Sequence, residues 1–167
     1  MDHEYRFQIT AKQQFILLAR VIIFGLFIIG GTIFFKVSLN SSPFLSVALV
    51  LFFIDTLPAL VLFIQYWMKN RNARLTINTQ TEKLIYQTPT FYSEHAFSDI
   101  ISFQYYINLG KGTGWYSFGE YRYYKIIFYD NTEIIITCLM INNIESSLES
   151  LLRMKAKKHA RLLCLIT

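Results

Sequence analysis

The sequence predicts an α+β membrane protein, in which a hairpin of two transmembrane helices precedes a small antiparallel β domain closed by an amphipathic helix. Residues 13–35 and 43–67 are apolar runs of 23 and 25 residues, and a helix needs roughly 20 such residues to cross a bilayer. After residue 68, apolar and polar residues alternate over short stretches, which is typical of half-buried strands. The chain therefore divides into residues 1–68, an N-terminal tail with the hairpin, and residues 69–167, a cytoplasmic domain.

Basic residues give the hairpin a direction. Lys69, Arg71 and Arg74 follow the second run and two basic residues precede the first, whereas the seven-residue connection has a single lysine at its edge. Because Lys and Arg stay on the cytoplasmic side of a membrane, we expect a two-pass protein of a plasma or inner membrane with both termini in the cytoplasm. A cleaved signal peptide is disfavoured, since the first run exceeds the usual apolar core of about 7–15 residues.

The residue pattern after the hairpin predicts six strands and one helix. The strands are residues 73–78, 83–88, 91–97, 100–108, 121–129 and 132–140. Asp130-Asn131, between the last two strands, is typical of a two-residue hairpin turn. From Ile141 to Leu152 apolar residues recur at spacings of three and four, which predicts an amphipathic helix over about 142–158.

Four segments follow the helix pair in a recognisable order, and the helix at 142–158 completes them. They are Leu75-Thr76-Ile77, Lys83-Leu84-Ile85-Tyr86, Phe97-Ser98-Asp99-Ile100 and Ile126-Ile127-Phe128-Tyr129. This pattern resembles the pleckstrin-homology-like (PH-like) superfold, and in particular bacterial membrane-anchored proteins of the YcxB-like type, which place two transmembrane helices before such a domain. The resemblance implies seven strands, so we expect the missing one inside Leu109–Glu120 or from a different division of residues 91–108.

Asp55 is the single charge in the second apolar run, where a carboxylate costs a few kcal/mol. Pro58 removes the amide that would bond the carbonyl of Ile54, which favours a kink. Two interpretations stay open. The functional one is an intramembrane ion or proton site, or a polar contact with a partner helix. The structural one is a protonated carboxyl, or a pair with Arg20 across the hairpin.

A glycine-rich segment, Leu109–Glu120, offers candidate contacts to lipid. Its Gly110-Lys111-Gly112 spacing fails that of a phosphate-binding loop, which needs four residues before Gly-Lys and Ser or Thr after it. The segment is therefore interpreted as a strand connection. Lys111, Trp115 and Tyr116 could still reach a lipid headgroup or a partner.

A second group of candidate contacts is the basic cluster at the end of the predicted helix. It contains Arg153, Lys155, Lys157 and Lys158. Such residues complement the negative end of a helix dipole and are often simply solvated. Attachment to anionic lipid, at about 1 kcal/mol per basic residue near the surface, is the other interpretation.

Catalysis and cofactor binding find little support. The three histidines are far apart, and neither they nor Cys138 and Cys164 have metal-ligand spacing. No nucleophile elbow is present. We expect no enzyme, cofactor, nucleic acid or small-molecule substrate, but a membrane-anchored binding or scaffold module that recognises lipid headgroups, a protein partner or another copy of itself. The alternative is a small membrane protein that acts through Asp55, such as a transporter accessory or a toxin-immunity protein.

Overall fold

The computed structural model describes residues 4–34, 43–109, 116–141 and 144–166. Its helices and strands are β1 (Glu4–Phe7), α1 (Ala11–Phe34), α2 (Pro43–Asn70), β2 (Arg74–Asn78), β3 (Lys83–Gln87), β4 (Tyr92–Ala96), β5 (Ile100–Asn108), β6 (Arg122–Phe128), β7 (Glu133–Thr137), α3 (Ile144–Leu152) and β8 (Lys157–Arg161). Short 3-10 turns precede β5 and β6, at Phe97–Asp99 and Ser117–Glu120. Strands β2 to β7 lie where the alternation predicts strands.

The strands form two four-stranded sheets. The first sheet has the order β1-β2-β3-β4 and is antiparallel throughout. The second has the order β7-β6-β5-β8, antiparallel except that β8 runs parallel to β5. A three-residue loop, Tyr129–Asn131, joins β6 to β7: Asn131 donates its N–H to the Phe128 carbonyl at 2.9 Å, and Phe128 donates its N–H to the Thr132 carbonyl at 3.0 Å. The predicted two-residue turn is therefore wrong by one residue, and the positive φ of Asn131 (63°) suits the last position of the longer loop.

The N-terminal tail belongs to the β domain. Strand β1 pairs with β2, from Glu4 opposite Asn78 to Phe7 opposite Leu75. Because β1 precedes α1 and β2 follows α2, the helix pair is inserted between two neighbouring strands of one sheet. The prediction that residues 1–68 contain only a tail and the hairpin is therefore wrong. Four residues of alternation are too short to distinguish a strand from a tail, because their partner strand is about 70 residues away in sequence.

The predicted helix over 142–158 is wrong in its second half. Helix α3 ends at Leu152, where the apolar period of three and four also ends. Arg153 has a left-handed conformation (φ 53°) that stops the helix, and Ala156 donates its N–H to the Glu149 carboxylate at 3.2 Å. The chain then continues as β8 beside β5. Asn142, the first residue of the predicted helix, lies outside the described residues.

Both faces of the second sheet are covered. Strand β7 shows this directly, since Ile134 and Ile136 join one core while Ile135 joins the other. The first core lies among the two sheets and α3 and includes Leu75, Ile77, Leu84, Phe103, Tyr105, Tyr124, Ile126, Phe128, Ile144 and Leu148. The second lies between the other face of the second sheet and α2 and includes Ala59, Leu62, Tyr66, Tyr106, Tyr121, Tyr123, Cys138, Leu139 and Cys164.

One helix among the described residues is long and apolar enough to cross a membrane. It is Leu49–Asn70 of α2, with a mean hydropathy of 2.0 and 22% of the stretch buried in the protein. Helix α2 is continuous through Pro58. Length and composition thus support membrane association through α2, and the two-pass arrangement with α1 stays a prediction. The connecting loop, residues 36–42, lies outside the described residues.

The two cysteines provide a test of the second core. Burial raises the pKa of the Cys138 thiol to about 11 and that of the Cys164 thiol to about 12, from an ordinary 9.0. Reactive thiolate is therefore scarce at pH 8, and we expect maleimide to label neither thiol until the protein unfolds, as counted by mass spectrometry. A raised pKa stabilises the fold while the thiol stays protonated, so this stabilisation should be lost as the pH rises from about 9 to about 12. Fast labelling of the folded protein at pH 8 would contradict this packing.

Candidate functional site

One face of α2 is docked on the β domain. The buried residues of this face recur at spacings of three and four: Thr56, Ala59, Leu62, Tyr66 and Asn70. The ring of Tyr66 contacts the rings of Tyr121 and Tyr123 edge to face, with centroids 5.7 and 6.0 Å apart. Helix α2 is therefore part of the domain along about half its length, rather than a tether that starts where the domain ends.

Asp55 lies at the far end of this docked face and binds the segment that precedes β6. Its Oδ1 accepts the backbone N–H of Ser117 at 2.7 Å, and its Oδ2 accepts the Ser117 hydroxyl at 2.5 Å. Ser117 opens the turn Ser117–Glu120, so the carboxylate occupies the position of an N-terminal cap supplied by another element. The geometry therefore gives Asp55 a structural contact, but with a residue that the sequence did not single out. Arg20 lies on α1, and its side chain is outside the described part of the chain.

Two more polar residues of α2 hold the C-terminal segment, residues 162–166. The Gln65 amide forms a reciprocal pair with the backbone of Ile166, with its Nε2 donating to the carbonyl at 2.8 Å and its Oε1 accepting the N–H at 3.0 Å. The Tyr66 hydroxyl donates to the carbonyl of Cys164 at 2.8 Å. These bonds satisfy backbone groups that have no strand partner.

Asn108, at the end of β5, joins the two irregular segments that lie against α2. Its Nδ2 donates to the carbonyls of Phe118 and Tyr121, the latter at 3.0 Å. Its Oδ1 accepts the N–H of Cys164 at 2.6 Å. Residues 116–121 and 162–166 are therefore tied to each other as well as to α2.

Asn70, the last residue of α2, joins the helix to both sheets. Its side chain is fully buried. The Nδ2 donates to the carbonyl of Ile135 at 2.9 Å and to the hydroxyl of Tyr86 at 3.2 Å, while the Oδ1 accepts the N–H of Thr137 at 3.2 Å. The amide thus spans β7 in one sheet and β3 in the other.

The glycine-rich candidates can be placed only in part. Lys111 and Trp115 lie outside the described residues. Tyr116 is 47% exposed, and its ring stacks on Phe118 with centroids 5.0 Å apart. Tyr116 therefore lies on the surface beside α2, at the edge of the segment that Asp55 holds.

The basic candidates do not form one cluster, because the helix that was expected to carry them ends early. Arg153 is the turn residue after α3, Lys155 lies in the connection, and Lys157 and Lys158 are successive residues of β8. Successive strand residues point to opposite faces, so these two lysines diverge. All four are exposed.

Gln65, Asn70 and Asn108 were missed by the sequence analysis. A signal for two of them exists, since Asp55, Gln65 and Asn70 are among the few polar residues of the largely apolar helix α2. The partners of Asp55, Gln65 and Asn70 could not be found from the sequence, because each lies more than 50 residues away along the chain except Tyr86, a partner of Asn70. Among the described residues, no group of three His, Cys, Asp or Glu side chains could hold a metal ion.

Comparison with known proteins identifies the family of this architecture. A PH-domain family model matches residues 4–147, from β1 through both long helices and the six strands that follow to the first turn of α3. No curated protein and no solved structure matches the chain significantly. The matched region includes the helix pair, in agreement with its insertion between β1 and β2. Since the match covers well over half of the sequence, the chain belongs to this PH-domain family.

Proposed function

We propose that this protein is a non-catalytic binding module that α1 and α2 hold at the cytoplasmic face of a plasma or inner membrane, as in the bacterial YcxB-like type. Membership of the PH-domain family supports the binding role. The observation that carries the membrane anchor is the exposed apolar surface of the helix pair. Each large side chain of this kind gains about 1.5–3 kcal/mol when it leaves water, so lipid or another apolar surface is expected to cover the pair.

This apolar surface extends along both helices and away from the docked face. Its members on α1 are Phe15, Ile16, Ile22, Ile23, Leu26 and Ile29, and those on α2 are Val47, Val50, Leu51, Phe53, Ile54, Leu57, Val61, Ile64 and Met68. On α2 it reaches from Val47 to Met68, 22 residues that span roughly 32 Å of helix, which is close to the thickness of a hydrocarbon core.

If the bilayer covers the exposed apolar surface of α2, one edge of the β domain also enters the bilayer. Asp55 lies 15 residues before the end of α2, or roughly 22 Å along the helix. The segments 116–121 and 162–166, docked along this stretch, would enter the bilayer beside α2. Irregular backbone at that depth must be satisfied within the protein, and Asp55, Gln65, Tyr66 and Asn108 satisfy it. The exposed Leu109, Tyr116, Leu162 and Leu165 suit the same edge.

The contacts of Asp55 favour a membrane-anchored binding module over a small membrane protein that acts through Asp55. An ion or proton site needs carboxylate oxygens that are free to bind and release their ligand. Both oxygens of Asp55 accept hydrogen bonds from Ser117 instead. The alternative of a transporter accessory or toxin-immunity protein is therefore the weaker one.

Labelling of engineered cysteines tests the anchor and its orientation. Ser41→Cys lies in the connection between the helices, and Ser98→Cys lies at an exposed position of the domain. We expect an impermeant maleimide added outside right-side-out membrane vesicles to label Ser41→Cys, and to label Ser98→Cys only after permeabilisation. The native cysteines are buried and can stay in place.

Two outcomes would contradict the proposal. Labelling of Ser98→Cys from outside would reverse the orientation. Extraction of the unmodified protein from membranes by alkaline carbonate would contradict the proposed membrane anchor, since this treatment releases peripheral proteins and leaves spanning ones in the bilayer.

A further inference from the structure

Strand β8 is the last strand on one side of the second sheet. It pairs with β5, from Lys157 opposite Gln104 to Arg161 opposite Asn108. In the part of the chain that the structure describes, no strand covers its other edge. The strand also lies beyond residue 147, where the match to the PH-domain family model ends. This open edge is therefore a feature of the chain outside the matched region.

The backbone of β8 has groups that point away from β5. The carbonyl of Arg161 accepts the N–H of Leu109, the residue after β5, at 2.8 Å, so the backbone groups of Arg161 point toward β5. Because these groups alternate in direction along a strand, those of Lys157 and His159 also point toward β5, whereas those of Ala160 point outward. An extended chain that adds to this edge therefore meets a main-chain donor and acceptor of the exposed Ala160.

One face of β8 is cationic. Lys157, His159 and Arg161 are alternate residues, so their side chains share a face, which is that of Tyr106 on β5. The His159 ring stacks on the Tyr106 ring with centroids 5.0 Å apart, and the Arg161 guanidinium carbon lies 4.5 Å from the centroid of the same ring. Tyr106 thus positions two of the three side chains before a partner arrives, which lowers the entropy lost on binding.

The cations of β8 have few acidic neighbours. Residues 150–167 contain Lys and Arg but no Asp or Glu. Within the described residues, Lys157 and Arg161 form no ion pair, whereas Lys125 of β6 pairs with Glu133 of β7 at 2.8 Å. Like charges directly opposite each other also disfavour the pairing of β8 with β8 of a second copy. Charge complementarity therefore favours an acidic strand at this edge.

The opposite face of β8 favours an apolar neighbour. Ala160 lies opposite Ile107 in the register, and Ile107 packs against the first core, as do Met154 and Ala156 before β8. Lys158 shares this face and is exposed. An incoming strand would thus have cations beside one face and mainly apolar side chains beside the other. A strand in which acidic and apolar residues alternate fits both faces.

The direction of β8 favours a protein partner over a membrane surface. Arg161 precedes the segment 162–166 that is docked on α2, and Lys157 lies roughly 13 Å from Arg161 along the strand. Under the proposed membrane anchor, residues 162–166 enter the bilayer, so β8 runs away from the lipid and only its Arg161 end lies near the surface. Lys155 and Lys157 are then exposed to the cytoplasm.

We propose that the outer edge of β8 binds an extended acidic segment of a protein partner. The segment pairs with the backbone of Ala160, and its acidic side chains contact Lys157 and Arg161. This proposal names a surface and a partner for the binding module of the proposed function. The direction of β8 relative to the membrane rests on the proposed anchor, whereas the open edge and its charges do not.

A synthetic strand tests this proposal. The full-length protein in dodecyl maltoside would be titrated into a fluorescein-labelled peptide, Glu-Val-Glu-Val-Glu-Val-Glu, while fluorescence anisotropy is recorded. We expect saturable binding. Heptaglutamate, which lacks the alternation, and the peptide with Ser in place of Glu, which lacks the charge, should each bind at least about fivefold more weakly. Amide hydrogen exchange of residues 157–161, measured by mass spectrometry, should slow at least about fivefold at saturation.

Two variants separate main-chain pairing from charge. Ala160→Pro should raise the dissociation constant at least about fivefold, because it removes the outward N–H and its ring obstructs an incoming backbone. Proline is tolerated on an edge strand where the N–H faces solvent, and thermal unfolding checks the fold. The double variant Lys155→Gln and Lys157→Gln should raise the constant at least about threefold. Lys69→Gln, which removes an exposed cation of α2, is the matched control and should change it less than about 1.5-fold.

The absence of saturable binding by the Glu-Val peptide would overturn the proposal. Equal binding of heptaglutamate, or equal weakening by Lys69→Gln and the double variant, would also overturn it, because diffuse charge would then explain the binding. If exchange at residues 157–161 slowed only when nanodiscs contained phosphatidylglycerol, and not with the peptide, β8 would serve the membrane instead. A failed membrane anchor would appear in the labelling at Ser41 and Ser98 and would leave the titration in detergent unaffected.

Discussion

Replacing Asp55 with alanine should lower the free energy of unfolding by about 2–4 kcal/mol. The substitution removes both acceptors of Ser117 and leaves its backbone N–H and its hydroxyl without partners in a largely buried site. The turn Ser117–Glu120 should then detach from α2 before the rest of the domain unfolds. Thermal unfolding in detergent measures the loss of stability, and limited proteolysis between residues 109 and 121 measures the detachment.

Asp55→Asn and Ser117→Ala are the matched controls for this prediction. Asparagine keeps an acceptor for the Ser117 N–H and offers its amide to the hydroxyl, so it should cost only about 1 kcal/mol. Ser117→Ala should couple to Asp55→Ala, and the double variant should be less destabilised than the sum of the two. If Asp55 were an ion or proton site, Asp55→Asn and Asp55→Ala would abolish its function equally. Neither substitution would then change the free energy of unfolding much. That result would contradict the structural role.

The sequence predicted the elements of this fold better than their association. Strands β2 to β7 could be placed because each depends on a local period of two. The roles of β1 and β8 could not, because a short edge strand has little pattern of its own and is defined by pairing with β2 or β5. Helix α2 shows the same limit, since length and hydropathy describe a membrane span but do not indicate which face packs on the second sheet.

The polar residues of α2 show why the docking of this helix on the β domain was not predicted from the sequence. Asp55 was singled out because a charge in an apolar run is conspicuous, and its partner Ser117 was not, because serine in a loop is ordinary. Gln65 and Asn70 are the informative residues in retrospect: with Asp55 they are spaced by ten and five residues along one helix, and all three bind backbone groups. A helix that only crossed lipid would have little use for such side chains. They mark the stretch over which α2 is also a part of the domain.

Replacing Asn70 with alanine should have the larger effect, a loss of about 3–5 kcal/mol in the free energy of unfolding. The side chain is fully buried, and its removal leaves the Thr137 N–H, the Ile135 carbonyl and the Tyr86 hydroxyl without these bonds. All three lie between the sheets and the end of α2, where water is excluded. Asn70→Asp should be similarly destabilising, because a carboxylate faces the Ile135 carbonyl and cannot donate to it.

Asn72→Ala tests whether this loss depends on burial. Asn72 is the same residue type two positions later, but it is exposed, so its removal should change stability by less than about 0.5 kcal/mol. Denaturation of the full-length chain in detergent, followed by Tyr and Trp emission, compares the three variants. If α2 were only a tether, Asn70→Ala and Asn72→Ala would be equally mild. A large effect confined to Asn70 would instead mean that the domain cannot fold independently of α2, so that a change at the end of α2 alters the stability of both sheets.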